Sequence, residues 1–144
     1  MRRLFLLTVL LMLIGFSSPH SSGKVFAQAG GEWTTLLDGS TLDGWNVIGD
    51  GTWTLVDDAV EGDGEAGFLV TAESFSDFQL TFEFWIGEDS NSGVFIRCSD
   101  PKQIGIDTSY EVNIADTIEN PDFRSGAIVR VVGPSQTVKT AGKW

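Results

Sequence analysis

The chain has 144 residues, with 9 Lys and Arg against 20 Asp and Glu, a net charge of −11, one histidine and one cysteine. A polyanion of this strength is not built to hold phosphate backbones, which recruit Lys and Arg, so nucleic acid is excluded as a partner. A lone cysteine excludes an intrachain disulfide, and Cys98 reads as a small buried apolar side chain.

Arg2 and Arg3 open the chain, an apolar run from Leu4 to Phe16 follows, and a polar stretch ends in Ala27-Gln28-Ala29. Cationic start, apolar centre and small-x-small close are the layout of an export leader, with cleavage expected after Ala29. The run is shorter than the roughly 18–20 apolar residues that a membrane-spanning helix needs. Residues 1–29 hold three cations, the histidine His20 and no acid, so the expected mature domain, residues 30–144, carries −14 and no histidine. That excludes Ser-His-Asp and Cys-His nucleophile systems and His-built zinc sites. The expected destination is the periplasm or the cell exterior, without membrane attachment once the leader is gone.

Beyond residue 30, short β-branched and aromatic runs alternate with Gly, Asp, Asn and Ser clusters, which predicts an all-β domain. Thr52 to Val56 reads as a strand, Asp57-Asp58 as its turn, Ala59 to Glu61 as the return and Phe68 to Thr71 as a further strand. From Asp77 to Ile86, Phe78, Leu80, Phe82, Phe84 and Ile86 alternate with Gln79, Thr81, Glu83 and Trp85. Period two predicts a strand with one core face and one outward face. Asn91-Ser92-Gly93 reads as a turn, and Val94 to Ser99 as a strand with Phe95, Arg97 and Ser99 on one side. Ser109 to Ala115 repeats the pattern with Glu111, Asn113 and Ala115 together, and Ala127 to Val132 is the last predicted strand. Several antiparallel strands with one buried face predict a β-sandwich. With Phe75, Phe78, Phe82 and Phe84 to cover, the chain is expected to be incomplete at its C-terminus.

If these strands are neighbours, Glu83, Trp85, Arg97, Glu111 and Asn113 form one outward cluster. Carboxylates and amides hydrogen-bond sugar hydroxyls, and an indole covers the apolar face of a pyranose. Paired carboxylates can also serve as acid and base at a glycosidic bond. The plainer alternative makes Glu83 and Arg97 a solvated cross-strand pair contributing less than about 1 kcal/mol. The acidic run Glu61-Gly62-Asp63-Gly64-Glu65 lacks the spacing of a calcium loop and reads as a solvated hairpin loop.

A family resemblance runs through these segments in order. Glu32-Trp33-Thr34-Thr35-Leu36-Leu37-Asp38-Gly39 with Leu42-Asp43-Gly44-Trp45, then Gly67-Phe68-Leu69-Val70-Thr71, Asn91-Ser92-Gly93-Val94-Phe95-Ile96-Arg97 and Tyr110-Glu111-Val112-Asn113-Ile114-Ala115-Asp116, resemble the 3-keto-disaccharide hydrolase domain family. The resemblance implies a concanavalin A-like jelly-roll sandwich and a small carbohydrate substrate whose sugar is oxidised at carbon 3. No cofactor and no metal-binding residues are expected. It casts Glu111 as base, Asp116 as second acid or orienting group, and Arg97 as holder of the keto or hydroxyl oxygens. Glu83, Trp85, Asn113 and Arg124 are the expected substrate-binding residues. Many members carry Gln at the position of Asn113 and an aromatic at that of Val129. A non-catalytic sugar-binding module and an inactive remnant stay open beside the enzyme.

Overall fold

The computed structural model describes residues 5–10, 25–29 and 31–144, with the backbone alone for 5–10 and Ala29. The described residues hold ten strands: β1 (Phe5–Leu10), β2 (Val25–Ala29), β3 (Glu32–Leu37), β4 (Trp45–Gly49), β5 (Trp53–Val56), β6 (Ala59–Gly62), β7 (Gly67–Phe75), β8 (Gln79–Phe82), β9 (Ser92–Cys98) and β10 (Tyr110–Ile114). The one helical element among them is a 3-10 turn at Pro121–Phe123, and the predicted all-β class is what the chain adopts.

Three antiparallel sheets result: β10-β9-β1-β7-β4, β3-β2-β8 and the hairpin β5-β6. Residues paired across a ladder point to the same side, so register sorts the faces of the large sheet. Val112, Val94, Leu69 and Val47 form one row, which crosses β1 at the backbone of Val9; Glu111, Phe95, Val70 and Asn46 form the next, on the opposite face, crossing β1 at the backbone of Thr8. The first face is the core face. Leu69 clusters with Val25, Leu37 and Val60, while Val94 clusters with Ile86 and Ile114. Leu80 and Phe82 of β8 pack against both clusters, which stacks the small sheet on the large one as two layers. Phe75 against Phe78 and Phe82 against Phe84 meet ring to ring, so these four rings cover one another in part.

The segment expected as a leader contributes the middle strand of both larger sheets. β1 lies between β9 and β7, and β2 lies between β3 and β8, with Val25 and Ala27 each 1% exposed. Residues 1–4, 11–24 and Gly30, with His20 among them, lie outside the described residues.

Several predicted elements shift for physical reasons. The strand expected over Asp77–Ile86 forms a ladder at Gln79–Phe82, opposite Val25–Gln28 of β2. The alternation of half-buried and exposed side chains persists to Phe84, but Trp85 turns inward against the Ile86 cluster. Ser92 and Gly93 belong to β9; the turn falls earlier, where Ser90 N–H donates to the Gly87 carbonyl at 3.2 Å. Ala127 to Val132 is not a strand. Arg130 takes a left-handed φ of 62°, and the Val131 and Val132 N–H groups both return to the Ile128 carbonyl, folding the segment into a tight turn. Gly39 is left-handed at φ 79° and a side chain there would overlap the backbone of Asp58, which accounts for the glycine after Asp38.

Candidate active site

Glu111 stands in the middle of β10 on the face opposite the core, directly paired with Phe95. Phe95 is nearly fully buried, and Phe68 from β7 meets it edge-on at 5.5 Å between ring centres. The Glu111 carboxylate leans from there over Gly93: a methyl group placed on Gly93 would lie 2.7 Å from Oε1 and 2.9 Å from Cγ. Beside apolar neighbours the charged form is poorly solvated, and burial pushes the Glu111 carboxyl above the ordinary glutamate range. On the other edge of β10, Val129 N–H donates to the Glu111 carbonyl at 2.9 Å, so residues 126–129 flank the strand.

Asn113 shares the face of Glu111, one pleat along, and is 4% exposed. Its side-chain amide donates to the Phe123 carbonyl, and its backbone exchanges hydrogen bonds with Ala127 and Gly126. Arg124 Nε donates to the Ile118 carbonyl at 3.0 Å. Asn113 therefore holds the 116–127 loop against β10, and Arg124 braces that loop from within.

Asp116 closes that loop. Its carboxylate accepts from Ser125 Oγ at 2.7 Å, Thr140 N at 2.6 Å, Thr140 Oγ1 at 2.9 Å and Ala141 N at 2.8 Å. Desolvation, the largest single influence, pushes its pKa up, but the four hydrogen bonds together outweigh it and hold the group below the usual aspartate range. Four donors use the oxygens fully, so this carboxylate orients chain segments.

Arg97 adopts a left-handed φ of 60°, which takes it out of the strand alternation. Its guanidinium donates to the Ser76 carbonyl, sits 5.5 Å above the Phe78 ring and lies 3.9 Å from the exposed Asp77 carboxylate. It thus pins the corner between β7 and β8.

The expected five-residue cluster is divided. Glu83 follows β8, which belongs to the three-stranded sheet, whereas Glu111 belongs to the five-stranded one. Trp85 packs on the core side, against the cluster of Val94 and Ile114; Glu111 is on the other side of those strands. Only Glu111 and Asn113 share a face and a strand. Sequence alternation placed them correctly, while sheet membership depends on long-range pairing that no local pattern encodes. What sequence reading missed is Gly93, read as a turn residue when its role is the space it leaves. In the acidic loop, Asp63 accepts from the N–H groups of Thr52 and Glu65, both at 3.0 Å, which is loop chemistry. Among the described residues no group of three His, Cys, Asp or Glu stands close enough to hold a metal ion.

Two stacked antiparallel layers, with one face of the larger carrying a partly desolvated carboxylate, define a concanavalin-like β-sandwich. Residues 32–144 match the 3-keto-alpha-glucoside-1,2-lyase-like domain, and the chain belongs to that family. It is similar to a 3-keto-disaccharide hydrolase of Bacteroides thetaiotaomicron, 30% identical over 117 residues, covering 65% of this chain and 40% of that protein. The chain therefore spans well under half the length of that relative. No solved structure matches it.

Proposed function

We propose that the chain cleaves glycosides whose sugar carries a ketone at carbon 3, with Glu111 as the base. At family level, glycoside cleavage is what the matched domain and the similar hydrolase support. A 3-ketone acidifies the proton on carbon 2. Glu111 takes that proton, the released electron pair forms a C1=C2 double bond, and the C1–O bond breaks. The departing oxygen recovers the proton and leaves as the free alcohol; water then adds across the double bond to give the free 3-keto sugar. No histidine and no covalent nucleophile is needed.

The observation that carries this reading is the half-buried Glu111 carboxylate on an apolar sheet face, with its proton affinity raised by burial. A raised pKa makes a carboxylate a stronger base. The sugar-binding-module reading loses its main support, because Trp85, its intended platform, packs on the core. Asn113, Arg124 and Asp116 act by fixing the loop that borders β10. Export is part of the proposal and rests on the Arg2-Arg3 start, the apolar run and the Ala27-Gln28-Ala29 close; cleavage after Ala29 would remove β1 and β2, the middle strands of the two larger sheets, so the first residue of the exported protein, read by mass spectrometry, tells a leader from a pair of strands.

The test is release of free sugar from 3-keto-trehalose or a 3-keto-glucoside, followed by chromatography. Wild-type release, with turnover cut about a hundredfold or more in Glu111→Gln, is expected. Equal rates for the two proteins would remove Glu111 from the chemistry.

A further inference from the structure

We propose that Gly93 is a positioning residue for Glu111: the side chain it lacks is the seat in which the carboxylate rests against β9. The catalytic part of this inference rests on the function proposed above; the seat itself does not. Gly93 lies inside β9, paired with Asn113 on one side and Leu10 on the other, so it is neither a turn nor a strand end. Glycine is unfavourable in a strand interior and marks a place where something approaches closely. Here the approaching group is identified by distance. The three atoms nearest to a methyl on Gly93 would be Glu111 Oε1 at 2.7 Å, Cγ at 2.9 Å and Cδ at 3.2 Å. All three belong to one side chain, and no backbone atom of the described residues outside Gly93 and its chain neighbours stands as near.

Glu111 is opposite Phe95, two residues along β9, so its side chain reaches Gly93 on the diagonal of the ladder. Diagonal neighbours in a sheet are within reach of a long side chain, and here the Glu111 carboxylate occupies the space that a side chain at position 93 would need. Any side chain at position 93 fills it. The obstacle is the flexible end of a glutamate, so an alanine there need not move the sheet; the carboxylate swings away instead, toward water. The general base would then lose both its place on the Phe95–Phe68 face and the desolvation that strengthens it.

The experiment uses the full chain carrying Gly93→Ala, with the Glu111 carboxyl followed by carbon NMR through a pH titration and assigned by its disappearance in Glu111→Gln. The expected result is a titration midpoint lowered to that of a solvated glutamate, with thermal stability kept. Turnover should fall at least tenfold, and the acid limb of the pH–rate profile should move to lower pH with the midpoint. An unmoved midpoint overturns the seat. A midpoint that falls while turnover is unchanged upholds the seat and sinks Glu111 as the base, so the two claims fail separately. Should Gly93→Ala not fold, Gly93→Ala/Glu111→Ala, which removes the atoms the methyl would meet, is expected to fold. Failure of that pair as well overturns the inference, because the methyl would then be meeting something other than Glu111.

Discussion

Replacing Asp116 by alanine separates an orienting carboxylate from a catalytic one. The substitution leaves two backbone N–H groups, of Thr140 and Ala141, and two hydroxyls, of Ser125 and Thr140, without their acceptor. Hydrogen bonds to a charged group contribute about 1.5–3 kcal/mol each when dry. Water can reach part of this site and the losses overlap, so the four together are worth about 3 kcal/mol. For a chain of this size that is a fall in melting temperature of roughly 10 °C. The effect has a defined pH dependence. The folded-state pKa of Asp116 is depressed, so its stabilisation is fully present above the unfolded value and is lost as pH falls through the folded one. The gap between wild type and Asp116→Ala should therefore be constant near neutrality and close in acid. Thermal melts followed by circular dichroism, from neutral pH down into the acid range below the ordinary aspartate pKa, measure it. Turnover well below both melting temperatures should stay within a few-fold of wild type. An unchanged melting temperature with turnover lost would make Asp116 a reacting acid and refute the clamp.

Glu111 should behave in the opposite sense. Its folded pKa is raised, so the ionised group weakens the fold above that pKa and has no such effect below the unfolded value. Glu111→Gln should thus raise the melting temperature near neutrality, with the gain vanishing in acid; a gain that persists in acid would contradict the burial of the carboxylate. At Arg97, glycine relieves the left-handed backbone that alanine keeps strained, so Arg97→Gly should be the more stable of the two variants by about 1 kcal/mol in denaturant melts. Equal stabilities would mean that the backbone relaxes. Thr8→Pro removes an N–H from the middle strand of the large sheet and should cost about 2 kcal/mol or more by the same melts. No change would show that Phe5–Leu10 is not part of the sheet in solution.

Local alternation made much of this fold readable. The faces of β10, the half-buried side of Phe78 to Phe84 and the Asp57-Asp58 turn are properties of short segments with period two or of turn chemistry. The same reasoning failed where an element's fate depends on a distant partner. Ala127 to Val132 has the composition of a strand yet folds on itself at Arg130, because its backbone finds Ile128 before it finds a full ladder. The hydrophobic run near the N-terminus is legible as apolar, while the place of Phe5–Leu10 between β9 and β7 comes from pairing with distant residues.

Composition and period fixed an acidic all-β chain, placed Glu111 and Asn113 on one side of one strand, and excluded histidine chemistry from residues 30–144. The tertiary structure alone decided that Glu83 and Glu111 belong to different sheets, that Trp85 faces inward, and that Gly93 is the gap in which a carboxylate lies. The reason is physical: side-chain alternation is set by the backbone of each strand, whereas pairing and close approach are settled by residues far apart in the chain.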